Sequence, residues 1–172
     1  MKAGKRLVCL IACGASTFTL AAQDLSAITQ ATATVNDCAR VVNDAANVPA
    51  PAGHAESAMA AQTNAKVTDP QQKLVIDPVH GQFAAKMQGD AARVADCGPK
   101  AQAAVAKAMT TVQSVARVPN LSKEDATALA AAVGEMQKAQ DGLRDAVVKL
   151  SGDGAKRAYF TTALGPMLGA KP

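Results

Sequence analysis

Two cysteines, two histidines and a set of methionines are the residues through which this 172-residue chain could do chemistry. Cys38 and Cys97 sit in the body of the chain, while Cys9 and Cys13 lie near its start. Neither body cysteine belongs to a Cys-x-x-Cys motif, and neither has a histidine close in sequence. A redox pair or a thiolate metal site is therefore a minor alternative to a disulfide. A Cys38–Cys97 bond closes a loop of about 60 residues, for which chain entropy gives roughly 4 kcal/mol of stabilisation.

His80 stands one turn into a predicted helix, with Met59, Met87, Met109, Met136 and Met167 as conceivable partners for haem or copper between helices. Against this, methionine routinely fills gaps in alanine-rich cores, there is no Cys-x-x-Cys-His for covalent haem, and aromatic lining is scarce. No cofactor or metal ligand is expected. His80 reads as exposed at a helix end, and His54, in a Pro/Ala/Gly stretch, as solvated. Catalytic residues are likewise not expected. Gly-x-Ser-x-Gly is absent, Ser114 and Ser122 have no suggestive His or Asp, and Gly152-Asp153-Gly154 lacks the Lys-Ser/Thr of a phosphate loop.

The elements that must position these residues follow an export signal. Met1 to Arg6 is basic, Leu7 to Leu20 is mostly apolar, and Thr19 to Ala22 offers small residues for cleavage, so residues 1–22 read as a secretion signal peptide. The run is too short and too interrupted for a good membrane span. Leu10-Ile11-Ala12-Cys13 resembles the lipobox of bacterial lipoproteins, which implies lipid anchoring through Cys13 as a minor alternative. Either route predicts a periplasmic or secreted protein, and an oxidising compartment suits the disulfide. Lys2, Lys5 and Arg6 supply most of the excess of 18 basic over 14 acidic residues. The near-neutral remainder has no electrostatic footprint for nucleic acid.

The strongest periodicity runs from Ser122 to Leu150. Ala126, Val133, Gln140 and Val147 alternate with Leu129, Met136, Leu143 and Leu150 in an apolar seam on one long helix. Ser122 and Asp125 have capping-box spacing. Gln140 breaks the seam; it either reaches water, the favoured reading, or contacts a ligand or fixes register. A second stripe (Leu25, Ile28, Thr32, Val35, Ala39, Val42, Ala46) predicts a helix ending at Pro49-Ala50-Pro51. A third begins at Asp77-Pro78 with Val79, Phe83, Met87, Ala91 and Val94. Gly98-Pro99 is expected to end that helix and begin another, lined by Ala101, Val105, Ala108, Val112 and Val115; one helix kinked at Pro99 is the alternative. Between the first two lies a long connection from Pro49 to Asp77, with a short Ala-rich helix near Glu56 to Lys66. Lys73 to Ile76 reads there as an extended tether packed on the bundle.

These elements predict an all-α four-helix bundle with one long crossover, an Ala-rich core and one disulfide, spanning residues 23–154. On level helix ends, the depths of Cys38 and Cys97 favour parallel first and second helices. Residues 155–172 form an apolar tail. Tyr159, Phe160, Leu164, Met167 and Leu168 either cap the open end of the bundle, the favoured reading, or dock on a partner. The expected function is non-catalytic protein–protein interaction with an unidentified envelope protein, of inhibitor, immunity or chaperone type. The alternative is a periplasmic carrier holding haem, metal or an apolar molecule between helices.

Overall fold

The computed structural model describes residues 22–168, and the expected signal peptide, with its lipobox-like Cys13, lies outside them but for Ala22. Five helices follow in order: α1 (Ala22–Asn47), α2 (His54–Asn64), α3 (Pro78–Ala116), α4 (Lys123–Gly152) and α5 (Gly154–Leu164). Short 3-10 turns span Pro70–Gln72 and Pro166–Leu168. The protein is all-α, and its core is the packing of α1 against both α3 and α4.

The helix starts follow from local chemistry. Ser122 Oγ accepts from the Asp125 amide at 3.0 Å, and Asp77 Oδ1 accepts from Val79 at 2.9 Å with Pro78 in the first turn. Asp153 ends α4 and begins α5, its carboxylate accepting from the Ala155 amide at 3.0 Å. The chain therefore reverses in a single residue.

Two expectations are corrected. Residues 78–116 form one helix, so there are three long helices rather than four. Pro99 deprives the Ala95 carbonyl of its helical donor, but both residues are exposed and water can take the bond. On the opposite face Val94, Gly98 and Ala101 continue one buried stripe through the proline. That burial, with the covalent tie at Cys97, outweighs a helix-interior proline cost of about 3 kcal/mol.

The second correction concerns direction. Cys38 and Cys97 are bonded, with Cα atoms 5.3 Å apart, yet α1 and α3 run antiparallel. Ile28 and Ala31, early in α1, share a cluster with Ala108 and Val115, late in α3; Val42 and Ala46 cluster with Phe83 and Met87. The level-ends assumption fails. Cys38 lies nine residues before the end of α1, Cys97 nineteen after the start of α3. At 1.5 Å per residue α3 outruns α1 by about 15 Å.

α5 packs on α3 and on α4, whereas α3 and α4 scarcely touch. Going round, the order is α1, α3, α5, α4, with α5 taking a fourth position over 11 residues only. Lys156 secures it. This buried ammonium donates to the Ala46 carbonyl at 2.6 Å and pairs with Asp153 at 2.9 Å, capping the C-terminus of α1. The crossover is looser. Asn64 donates to the Leu74 carbonyl and accepts from its amide, both at 2.8 Å. Leu74 and Val75 are exposed and Ile76 is half-buried, so the Asn64 amide ties down a segment that packs only lightly.

Reduction of Cys38–Cys97 is expected to lower unfolding stability by about 2–5 kcal/mol, read by urea titration with and without reductant; coincident curves would contradict it. Gly142→Ala is expected to gain about 0.5–1 kcal/mol, because the helical position is exposed and an added Cβ meets nothing within 4 Å. Thermal melting of the variant checks this.

Candidate functional site

Because α3 and α4 diverge on either side of α1, a groove of about 410 Å³ opens between them beyond the end of α5. Val35 of α1 lies along it, with Ala101 and Val105 of α3 on one wall and Leu143 and Val147 of α4 on the other. Met167 closes one end, its Sδ standing 2.9 Å from where a Cβ on Gly98 would be, so only glycine admits this approach unchanged. Gln102 donates to the Pro166 carbonyl at 2.9 Å and fastens the same turn. The remaining polar lining is Gln102, Gln140 and Arg144. Gln140, the break in the α4 seam, is thus half-buried in a groove wall. An apolar trough with a few convergent polar groups suits binding by shape and burial.

The second constellation lies where α3 overhangs α1. His54, the first residue of α2, is buried; its Nε2 is 3.1 Å from the Tyr159 hydroxyl on α5 and its Nδ1 is 3.4 Å from His80 Nδ1 on α3. Phe83 packs edge-on to the His54 ring at 4.4 Å between centroids. The expectation of solvated histidines is corrected for His54, and His80 is half-buried rather than free at a helix end. Gly53, at φ 72°, turns the chain into α2 and delivers the imidazole inward. Burial, and secondarily the positive charge of a protonated His80, hold His54 below the ordinary histidine range, while burial raises the Tyr159 phenol. The site is therefore a neutral imidazole held between a phenol and a second imidazole.

Sequence reasoning missed this cluster. The available signal was scarcity: in a chain with four Phe and Tyr residues in all, the few rings need one another for cover. Which helices would bring them together was invisible.

The tail residues are placed as follows. Phe160 and Leu164 are buried in the main core, Tyr159 meets His54, Met167 lies on Gly98, and Leu168 ends the last turn. Of the methionines, Met87 and Met136 are core residues, while Met59 and Met109 are exposed. Among the described residues no three His, Cys, Asp or Glu side chains gather as a metal cluster, and no helix is long and apolar enough to cross a membrane. No family model matches the chain, and no curated protein or solved structure is detectably similar to it.

The His54 environment sets a pH dependence. Its folded pKa lies below the ordinary histidine value of about 6.5, so the unfolded chain binds the proton more readily. The contribution is whole above about pH 6.5 and is lost as pH falls through the lowered folded value. Asp153, held down chiefly by its bond to Lys156, gives way only in stronger acid, below its ordinary 3.8. Melting temperature is expected to fall from pH 7.5 to pH 5, and the fall is expected to flatten in His54→Gln. Parallel pH profiles for the two proteins would refute this origin.

Proposed function

We propose that this chain is an exported binding protein of the cell envelope, periplasmic or secreted, that holds apolar side chains of a partner protein in the α3–α4 groove without catalysis. The observation that carries the reading is the groove itself. Its walls already hold one helix, α5, between them, so their spacing suits a helix where α5 stops. An amphipathic helix laid there would bury its apolar face on Val105, Leu143 and Val147 and meet Gln140 and Arg144 with its polar flank. The basic and apolar N-terminus and the Cys38–Cys97 bond support export to an oxidising compartment. Inhibitor, immunity-type and chaperone-like roles all use such a surface.

A second reading, carriage of an apolar small molecule, is favoured by the groove volume, which falls within the range of about 300–1,000 Å³ common for small-ligand sites. One variant addresses both. Ala106 is exposed and lines the groove, so Ala106→Trp fills the trough with little demand on the core. Affinity purification from the native envelope is expected to recover the partner with wild type and to lose it at least about tenfold with the variant, equivalent to about 1.4 kcal/mol. A small apolar compound released on denaturing wild type alone favours the carrier. Identical co-purifying species from both proteins would eliminate the groove as the site.

A further inference from the structure

The two histidines are joined through ring nitrogens that are both good metal donors, and their arrangement has a chemistry separate from the groove. We propose that His54 and His80 form a two-imidazole site for a borderline divalent metal ion of the zinc type, with Tyr159 as the group that positions the buried ligand.

Three observations carry this. First, His54 Nδ1 and His80 Nδ1 face each other at 3.4 Å, a long hydrogen bond when one of the two carries the proton. Two nitrogens at zinc–nitrogen distances of about 2.0–2.1 Å on a tetrahedral ion stand about 3.4 Å apart. The donors thus have the separation that one ion between them requires. Second, the other nitrogen of His54 is occupied by the Tyr159 hydroxyl at 3.1 Å. A metal-bound histidine characteristically gives its second N–H to an oxygen acceptor, which sets the tautomer and aims the free lone pair. With the proton on Nε2 donating to the Tyr159 oxygen, Nδ1 of His54 presents a lone pair toward His80. His80 with its proton on Nε2 presents its own, so one ion can take both lone pairs in place of the hydrogen bond between the two nitrogens. Third, His54 is 5 % exposed and packed on Phe83, whereas His80 is half-buried. The site thus has an apolar back wall and an open side for entry.

No third His, Cys, Asp or Glu joins the pair among the described residues, so the remaining positions fall to water or to a donor brought by an incoming ligand. Such a site exchanges its metal, unlike a closed four-ligand structural zinc site. Cys38 and Cys97 are bonded to each other and offer no competing thiolate. Imidazole donors exclude magnesium and calcium and suit zinc, copper or nickel. The ion would link the start of α2 to α3, anchoring a crossover otherwise held by little apolar contact.

The test is calorimetric titration of zinc chloride into the untagged, processed, oxidised protein at pH 7.5, alongside His80→Ala, His80→Asn and Tyr159→Phe. The expected result is saturable binding of one ion per chain in wild type, with zinc-dependent shifts of the His54 and His80 ring resonances. Loss of His80 is expected to weaken binding by tenfold or more. Tyr159→Phe, which keeps both ligands, is expected to weaken it about tenfold, in the range of about 10–100-fold seen for outer-shell partners. Circular dichroism identifies variants that have kept the helices, and His80→Asn supplies the ligand test if His80→Ala has not. No saturable uptake by wild type would overturn the proposal, as would unchanged uptake by a folded His80 variant. Retained zinc binding with an unaltered constant in Tyr159→Phe would overturn the positioning role.

Discussion

The burial of one helix between two others governs this protein. The stripe of α1 through Ile28, Ala31, Val35, Val42 and Ala46 is covered by α3 on one side and by α4 on the other. Much of the stripe is alanine, which lets backbones approach closely but removes little area from water. A disulfide across the α1–α3 contact therefore matters more here than in a protein rich in Leu and Phe. Roughly 4 kcal/mol of loop entropy is a large share of a typical net stability of about 5–15 kcal/mol. The bond also lies two residues before Pro99, where the α3 ladder loses a rung, and holds that weak point on α1.

Both candidate sites arise from unequal helix lengths around this contact. α3 outruns α1, and the overhang would expose the apolar side of its first turns if nothing else covered it. His54 and Tyr159 fold in beside Phe83, and the few rings of the chain satisfy one another there. At the same time α5 is too short to fill the fourth position along α3 and α4, so the rest of that position is an open groove. The same mismatch thus produces a polar-aromatic pocket and an apolar trough, with Met167 on Gly98 at the trough's end.

Polar ties do the work that thin apolar packing leaves undone. His54, Asp90 and Lys156 are buried, and each has partners: Tyr159 and His80, Lys86 and Arg93, and Asp153 with the Ala46 carbonyl. Among the described residues no buried side-chain nitrogen or oxygen is without a hydrogen bond. Lys156 is the most consequential, because an orphan carbonyl at the end of α1 and a buried ammonium from α5 satisfy each other. The connection between the end of α4 and the start of α5 is one residue, so this bond also sets where α5 lies.

The chain's own pattern determined the helical class, the caps at Asp77 and Ser122, the pairing of Cys38 with Cys97, and the seam of the long helix from Leu129 to Leu150, though Ala126 at its start is exposed. These depend on neighbours in sequence or, for the cysteines, on setting Cys9 and Cys13 aside with the expected signal peptide. It did not determine whether α3 would pass through Pro99, because the proline penalty is local while the compensating burial of Val94, Gly98 and Ala101 comes from other elements packed against α3. Nor did it determine that α1 and α3 are antiparallel: helix depth is readable along each segment, but the stagger between segments is a packing quantity. His54 is the plainest case. Beside Pro51, Ala52 and Gly53 it looks like a loop residue. Only the overhang of α3 and the return of α5 bring His80, Phe83 and Tyr159 to it, from positions as far as 105 residues away in sequence.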